Sequence, residues 1–142
     1  MSIEKEHSEF LREVRTIRKK DPRYAEEAFF FVYQAVSYTV ERVEFDENEG
    51  RRHITGDELL EGICELGREF YGPLALDVFR NWGLQSTKDI GNVVFLQVQH
   101  NLLGASPEDS IQDFTDKFDL EQAFLEPYSE NRPHNIDLEY IE

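Results

Sequence analysis

Residues 23–43 read RYAEEAFFFVYQAVSYTVERV, and this stretch decides the fold. Apolar side chains recur every three or four residues along it, which predicts an α-helix. One apolar stripe comprises Ala25, Ala28, Phe29, Val32, Val36, Val40 and Val43. A second stripe, on another side, comprises Phe31, Ala35 and Tyr38. A helix with two apolar sides is buried on both, so we expect residues 23–43 to form the central helix.

Helical signals lie on both sides of this segment. Before it, an amphipathic helix over residues 8–20 is predicted by the spacing of Phe10, Leu11, Val14 and Ile17. Asp21-Pro22 ends that helix and is expected to cap the next one. After it, Thr55 and Glu58 have the spacing of a capping box. Further helices are predicted over residues 74–82, 86–103 and 119–124, with Gly83 in a left-handed cap and Gly104 as a stop.

The expected fold is therefore mainly α, a compact bundle of about five helices around the central apolar helix. A small β-hairpin is expected near residues 105–118, with residues 111–114 as a strand or extended arm. Residues 1–126 are expected to form a single helical domain, because 142 residues suffice to bury one core. Residues 127–142 contain acids and two prolines, which predicts an acidic extended C-terminal tail.

Charge is distributed unevenly along the chain. The net charge is +2 over residues 1–24, −8 over 25–100 and −9 over 101–142, which gives −15 in total. This balance repels phosphate backbones and anionic lipids, so nucleic-acid and membrane partners are not expected. We find no apolar run of membrane-spanning length and no signal peptide. Cys64 is the single cysteine, which is typical of a cytoplasmic protein.

Motifs of known chemistry are missing, and we predict no cofactor and no metal. His53, Asp57 and Cys64 could be combined into a zinc site, but they lack the usual ligand spacing. A buried filler role is the better interpretation of Cys64. The acidic stripe of residues 58, 61, 65 and 69 lies opposite apolar positions and is interpreted as a solvated face. The chain has no nucleophile elbow and no phosphate-binding loop, so an enzyme is disfavoured without being excluded.

Residues 73–118 have the outline of a winged helix, with two helices joined by a turn and followed by a wing. A DNA-reading helix needs polar and basic side chains. The second helix offers Lys88 and several valines, so a DNA regulator is the third functional alternative.

A small-molecule site is the second functional alternative. We place it where the 44–55 loop meets the Trp82 turn, with a cation, a titratable group and a stacking surface available. Its candidate ligand-binding residues are Arg23, Tyr24, Arg52, His53 and Trp82. The competing interpretation is that both arginines pair with acids and that Trp82 packs in the core.

A protein-interaction or regulatory module is the leading functional hypothesis. It relies on the basic first helix and on the terminal segment, where acids alternate with apolar residues. Its candidate partner-binding residues are Arg12, Arg15, Lys19, Leu138, Tyr140 and Ile141. Exposed ion pairs contribute little, so apolar anchors would supply most of the affinity for another protein or a second copy.

Several strings together resemble the Minf family of uncharacterised bacterial proteins, over roughly residues 8–125. They are Asp21-Pro22-Arg23-Tyr24, Arg52-His53-Ile54-Thr55-Gly56, Glu58-Leu59-Leu60-Glu61-Gly62, Trp82-Gly83, Asp89-Ile90-Gly91 and Asp109-Ser110. The resemblance implies no activity, cofactor or catalytic residue. It implies that the 52–56 stretch, Trp82 and Asp89 belong to one recurring arrangement.

Overall fold

The computed structural model describes the backbone of residues 3–47 and 53–130, and the side chains of residues 7–43 and 53–126. Its α-helices are α1 (Ile3–Lys20), α2 (Glu26–Glu47), α3 (Gly56–Tyr71), α4 (Ala75–Asn81), α5 (Thr87–Gln99) and α6 (Leu120–Glu130). Two short 3-10 helices cover Gly72–Leu74 and Ile111–Phe114. The described ranges contain no strand. The prediction of a mainly α fold is confirmed.

The middle of α2 lies at the centre of the core. Phe29, Val32 and Ala35 are fully buried, and α2 packs against α1, α3 and α5. The contact with α3 is close because Gly62 faces Thr39. A Cβ atom at position 62 would lie 2.0 Å from Thr39 Oγ1, so the two helices approach nearer than any larger residue would allow. The prediction of a central helix is confirmed, but α2 continues to Glu47, so residues 44–47 of the predicted 44–55 loop are helical.

Local capping signals correctly predict where two helices begin. The Glu58 N–H donates to Thr55 Oγ1 at 3.1 Å, and the Thr55 N–H donates to Glu58 Oε1 at 2.9 Å. This reciprocal capping box starts α3. Ser86 Oγ accepts from the Asp89 N–H at 3.3 Å and caps α5.

Two helices end in Schellman motifs, and the sequence predicts one of them. After α4, Gly83 has φ 95°, and the Leu84 N–H donates to the Phe79 carbonyl at 2.9 Å. The prediction that α5 continues to residue 103 is wrong. That helix ends at Gln99, because Asn101 adopts φ 62° and the Leu102 N–H bonds back to the Gln97 carbonyl at 2.8 Å.

The expected start of the central helix at Asp21-Pro22 is also wrong, because α2 begins at Glu26. The Asp21 carboxylate accepts from Arg23 Nη2 at 2.6 Å instead of capping a helix. This hydrogen bond lowers the pKa of Asp21. The Ala25 N–H donates to the Trp82 carbonyl at 3.1 Å. Residues 21–25 therefore form a turn that is attached to the end of α4.

The hairpin predicted near residues 105–118 is absent from these described residues, and with it the wing of the winged-helix interpretation. Ser110 and Asp113 form a capping box that starts a 3-10 helix. Phe114, at its end, is buried against α5, where Gly91 leaves room for it. A Cβ atom at position 91 would lie 2.6 Å from Phe114 Cβ. The capping box and this contact explain why the segment is helical.

The last helix is longer than predicted. As expected, Asp119 caps it through the Glu121 N–H at 3.0 Å, but α6 continues beyond Phe124 to Glu130. Residues 127–130 are therefore helical rather than extended. Pro127 has no N–H to give to the Ala123 carbonyl, and Arg68 Nη1 donates to that carbonyl at 3.3 Å. Residues 131–142 of the predicted tail lie outside the described residues.

No helix within the described ranges is long and apolar enough to cross a membrane.

Candidate functional site

A cavity of about 420 Å³ lies between α2, the start of α3, α5 and the segment that follows α5. Its walls are mainly apolar and come from Val36, Val40, Leu59, Val94, Phe95, Val98, Leu103 and Phe114. Two glycines bring the 3-10 helix against these walls. A Cβ atom at Gly56 would lie 2.9 Å from Asp113 Cβ, and Gly91 accommodates Phe114. The apolar space is therefore set by the packing of several elements.

Polar side chains contribute to the lining of the same cavity. His53 Nε2 lies 3.3 Å from Asp109 Oδ2 and 3.0 Å from Ser106 Oγ. The Ser106 N–H donates to Asp109 Oδ2 at 2.8 Å, which fixes the carboxylate. Asp113 lies nearby in the 3-10 helix and also lines the cavity. His53 is 46% exposed, so this polar group is accessible from solvent.

These three side chains are not arranged as a hydrolytic triad. In such a triad the aspartate binds one imidazole nitrogen and the serine binds the other, so that histidine can relay a proton. Here Asp109 and Ser106 both approach Nε2, and Ser106 Oγ lies only 3.3 Å from Nδ1 as well. The group can bind and orient a polar ligand atom, but it lacks the geometry of nucleophile activation.

Tyr24 is buried and belongs to a partly exposed hydrogen-bonded group on another part of the molecule. Its hydroxyl donates to Asp89 Oδ1 at 2.6 Å and accepts from Asn92 Nδ2 at 2.8 Å. Burial, followed by the Asp89 hydrogen bond, raises the pKa of Tyr24 to about 12. The Arg23 guanidinium lies 5.1 Å from the centre of the Tyr24 ring and pairs with Asp21. These contacts join the turn before α2 to the start of α5.

Trp82 lies in the aromatic core rather than beside His53. It is 7% exposed, and its ring centroid lies 5.7 Å from that of Phe79 and 5.6 Å from that of Phe31. Trp82 also lines a separate cavity of about 300 Å³. His53 and Trp82 therefore line different cavities. Arg52 lies outside the described residues.

His53, Asp57 and Cys64, which the sequence analysis considered as a zinc site, do not form one. Asp57 pairs with Lys117 at 3.2 Å, and Cys64 is buried beside α6. Burial raises the pKa of the Cys64 thiol to about 11, which disfavours the reactive thiolate. The described residues contain no group of three or more His, Cys, Asp or Glu side chains that could hold a metal ion.

The basic side chains predicted to bind a partner lie on the exposed face of α1. Arg12, Arg15 and Lys19 are all exposed, and Arg15 pairs with Glu26 at 2.9 Å. The other three candidates, Leu138, Tyr140 and Ile141, lie outside the described residues.

The acidic stripe of α3 is only partly a solvated face. Glu61 and Glu69 are exposed, whereas Glu65 accepts a hydrogen bond from the Tyr38 hydroxyl at 2.8 Å.

Several described members of the quoted strings lie in two spatial groups. Residues 53–56 and Asp109 lie together at the His53 cavity. Tyr24, Trp82 and Asp89 lie together around the turn before α2. The sequence signal that could have pointed to Asp109 is the Asp109-Ser110 string, but nothing in it indicates proximity to His53. No sequence pattern indicated that Ser106 or Asp113 belongs to the site.

No family model matches the chain, and no match was found among curated proteins or solved structures. Membership of the Minf family therefore stays a prediction.

Proposed function

We propose that this protein is a binding module for a small, largely apolar ligand, which occupies the His53 cavity. The observation that carries the proposal is the cavity itself, about 420 Å³ with apolar walls and a few polar groups. Ligand pockets typically measure about 300–1,000 Å³ and combine apolar walls with a few polar groups that orient the ligand.

Preorganisation of the polar groups supports this proposal. Asp109 Oδ2 is held by the Ser106 N–H and by His53, and Asp113 Oδ2 accepts from the Ser110 N–H at 3.1 Å. Acceptors that are already fixed cost less entropy when a ligand binds. The placement of Ser106 and Asp109 on the same imidazole nitrogen favours binding over hydrolysis as the role of this group.

The test is a titration with N-phenyl-1-naphthylamine, an uncharged dye whose fluorescence rises in apolar surroundings. We expect saturable binding to the wild-type protein and a large loss of affinity in Val98→Trp, where an indole enters the cavity. Val78→Trp is the matched control, because Val78 packs against the core on α4 away from the cavity lining. Helical circular dichroism would establish that both variants are folded. Equal dye binding by both variants would refute the proposal.

A protein-interaction module remains the second candidate function, and apolar exposure supports it. Phe70 and Leu74, at the end of α3 and in the following 3-10 helix, are 48% and 61% exposed. Large exposed apolar groups are typical of contact surfaces when they cluster. We expect a Phe70→Ser/Leu74→Ser variant, or a chain that ends at residue 130, to lose partner binding or self-association. Unchanged sedimentation and partner capture for both would exclude this candidate. A cytoplasmic location, inferred from the single cysteine, is part of the same proposal.

A further inference from the structure

We propose that the ligand of the His53 cavity carries a positively charged end, as a primary alkylamine does, and that Asp109 and Asp113 receive it. This inference rests on the proposed function above and names the class of ligand.

The charge of the described cavity lining favours a cation. Asp109 and Asp113 line the cavity, whereas no Lys or Arg occurs among the described residues that line it. Lys117, which follows the 3-10 helix, is paired with Asp57. His53 is the remaining group that can become positive, and it already contacts Asp109. The described lining therefore combines two aspartates with apolar walls.

Each carboxylate is anchored through one of its two oxygens. The contacts that hold Asp109 and Asp113 run to Oδ2 in each case. The Oδ1 atoms can therefore accept from an ammonium group while the anchoring contacts remain. Hydrogen bonds between charged groups are shorter and stronger than those between neutral groups.

The apolar walls determine the rest of the ligand. The valines of α2 and α5, together with Phe95 and Phe114, offer no hydrogen-bonding side-chain atoms. A hydrocarbon group would fill this space and would be stabilised by the removal of its apolar surface from water. The combination of carboxylates and apolar walls fits an amphiphile with a cationic head.

The experiment compares n-octylamine, n-octanol and n-octanoate, which share one alkyl chain, as competitors of the dye at about pH 8, where the amine is protonated and the octanoate is ionised. We expect octylamine to bind at least about fivefold more tightly than octanol. A partly desolvated ammonium–carboxylate contact contributes more to the binding free energy than an exposed ion pair does. Octanoate should bind most weakly. Asp109→Asn and Asp113→Asn should each reduce the preference for the amine.

Glu108→Gln is the matched control, since it removes the same charge from an exposed neighbour of Asp109 that does not line the cavity. Equal binding of all three competitors would overturn the cation preference and leave the binding function intact. Tightest binding of octanoate would also overturn it. A dye that does not bind the wild-type protein at all would overturn the proposed function itself.

Discussion

Gly62→Ala is expected to destabilise the protein, although alanine is a much better helix former than glycine. In the native fold, the new Cβ atom would lie 2.0 Å from Thr39 Oγ1 and 3.2 Å from Thr39 Cβ. Real Cβ contacts essentially never fall below 3.0 Å, so the hydroxyl must move by about 1 Å. Thr39 is 2% exposed, and its hydroxyl donates to the Ala35 carbonyl at 2.8 Å, so this movement breaks a buried hydrogen bond.

The expected magnitude follows from three contributions. Overpacking of a core costs about 1–3 kcal/mol, and the lost hydrogen bond costs about 1 kcal/mol. The higher helix propensity of alanine offsets about 1 kcal/mol of this loss in the free energy of unfolding. The free energy of unfolding should therefore fall by about 1–3 kcal/mol, which for a chain of this length lowers the Tm by roughly 3–10 °C.

Urea denaturation followed by circular dichroism measures this change, and a double-mutant cycle tests its cause. Thr39→Ala removes the clashing hydroxyl, so Gly62→Ala should cost at least about 1 kcal/mol less in the Thr39→Ala background. Gly104→Ala is the control, because its Cβ would have nothing within 4 Å, and it should change stability by less than about 0.5 kcal/mol. A Gly62→Ala protein as stable as wild type, or strictly additive double-mutant energies, would refute the close approach of α2 and α3.

Further predictions concern three buried residues, Tyr24, Cys64 and Trp82. Tyr24→Phe should lower the free energy of unfolding by about 1–3 kcal/mol, because Asp89 and Asn92 lose a buried partner; an unchanged urea midpoint would contradict this. Folding raises the pKa of Tyr24 from 10.0 to about 12. The stabilisation that the neutral hydroxyl provides is therefore complete below pH 10 and is lost as the pH rises through 12. Between pH 10 and 12 the wild-type protein should lose stability relative to Tyr24→Phe. Cys64, with its pKa raised to about 11, should react with iodoacetamide only as the protein unfolds, and rapid labelling without denaturant would argue against its burial. Trp82→Ala should cost about 3–5 kcal/mol and leave dye affinity per folded molecule unchanged, whereas a selective loss of dye binding would place Trp82 in the site.

The starts of α3 and α5 were predictable because their causes are local. The capping box of Thr55 and the cap at Ser86 each depend on residues three positions apart. The end of α5 was not predictable in the same way, because Asn101 and Gly104 are both suited to a left-handed cap. The helical path of residues 127–130 depends on Arg68 of α3, which the local sequence around Pro127 does not reveal.

The candidate site was only partly predictable. His53 stood out as a titratable residue near a helix start, but Ser106, its partner, lies 53 positions away in the chain. The apolar walls of the cavity could not be told from ordinary core positions, since valine stripes on α2 and α5 indicate burial in either case. The indole ring of Trp82 suggested a surface on which a ligand could stack, yet its aromatic neighbours Phe31 and Phe79 place it in the core.

The most direct test of ligand binding in the His53 cavity is a titration of the isotope-labelled protein with n-octylamine, followed by two-dimensional NMR. The account predicts saturable shifts for the amides and methyl groups around the cavity, above all those of His53, Val94 and Phe114. The indole signal of Trp82, which lines a different cavity, should stay in place. Shifts centred on Trp82, or the absence of saturable shifts at the His53 cavity, would contradict the account.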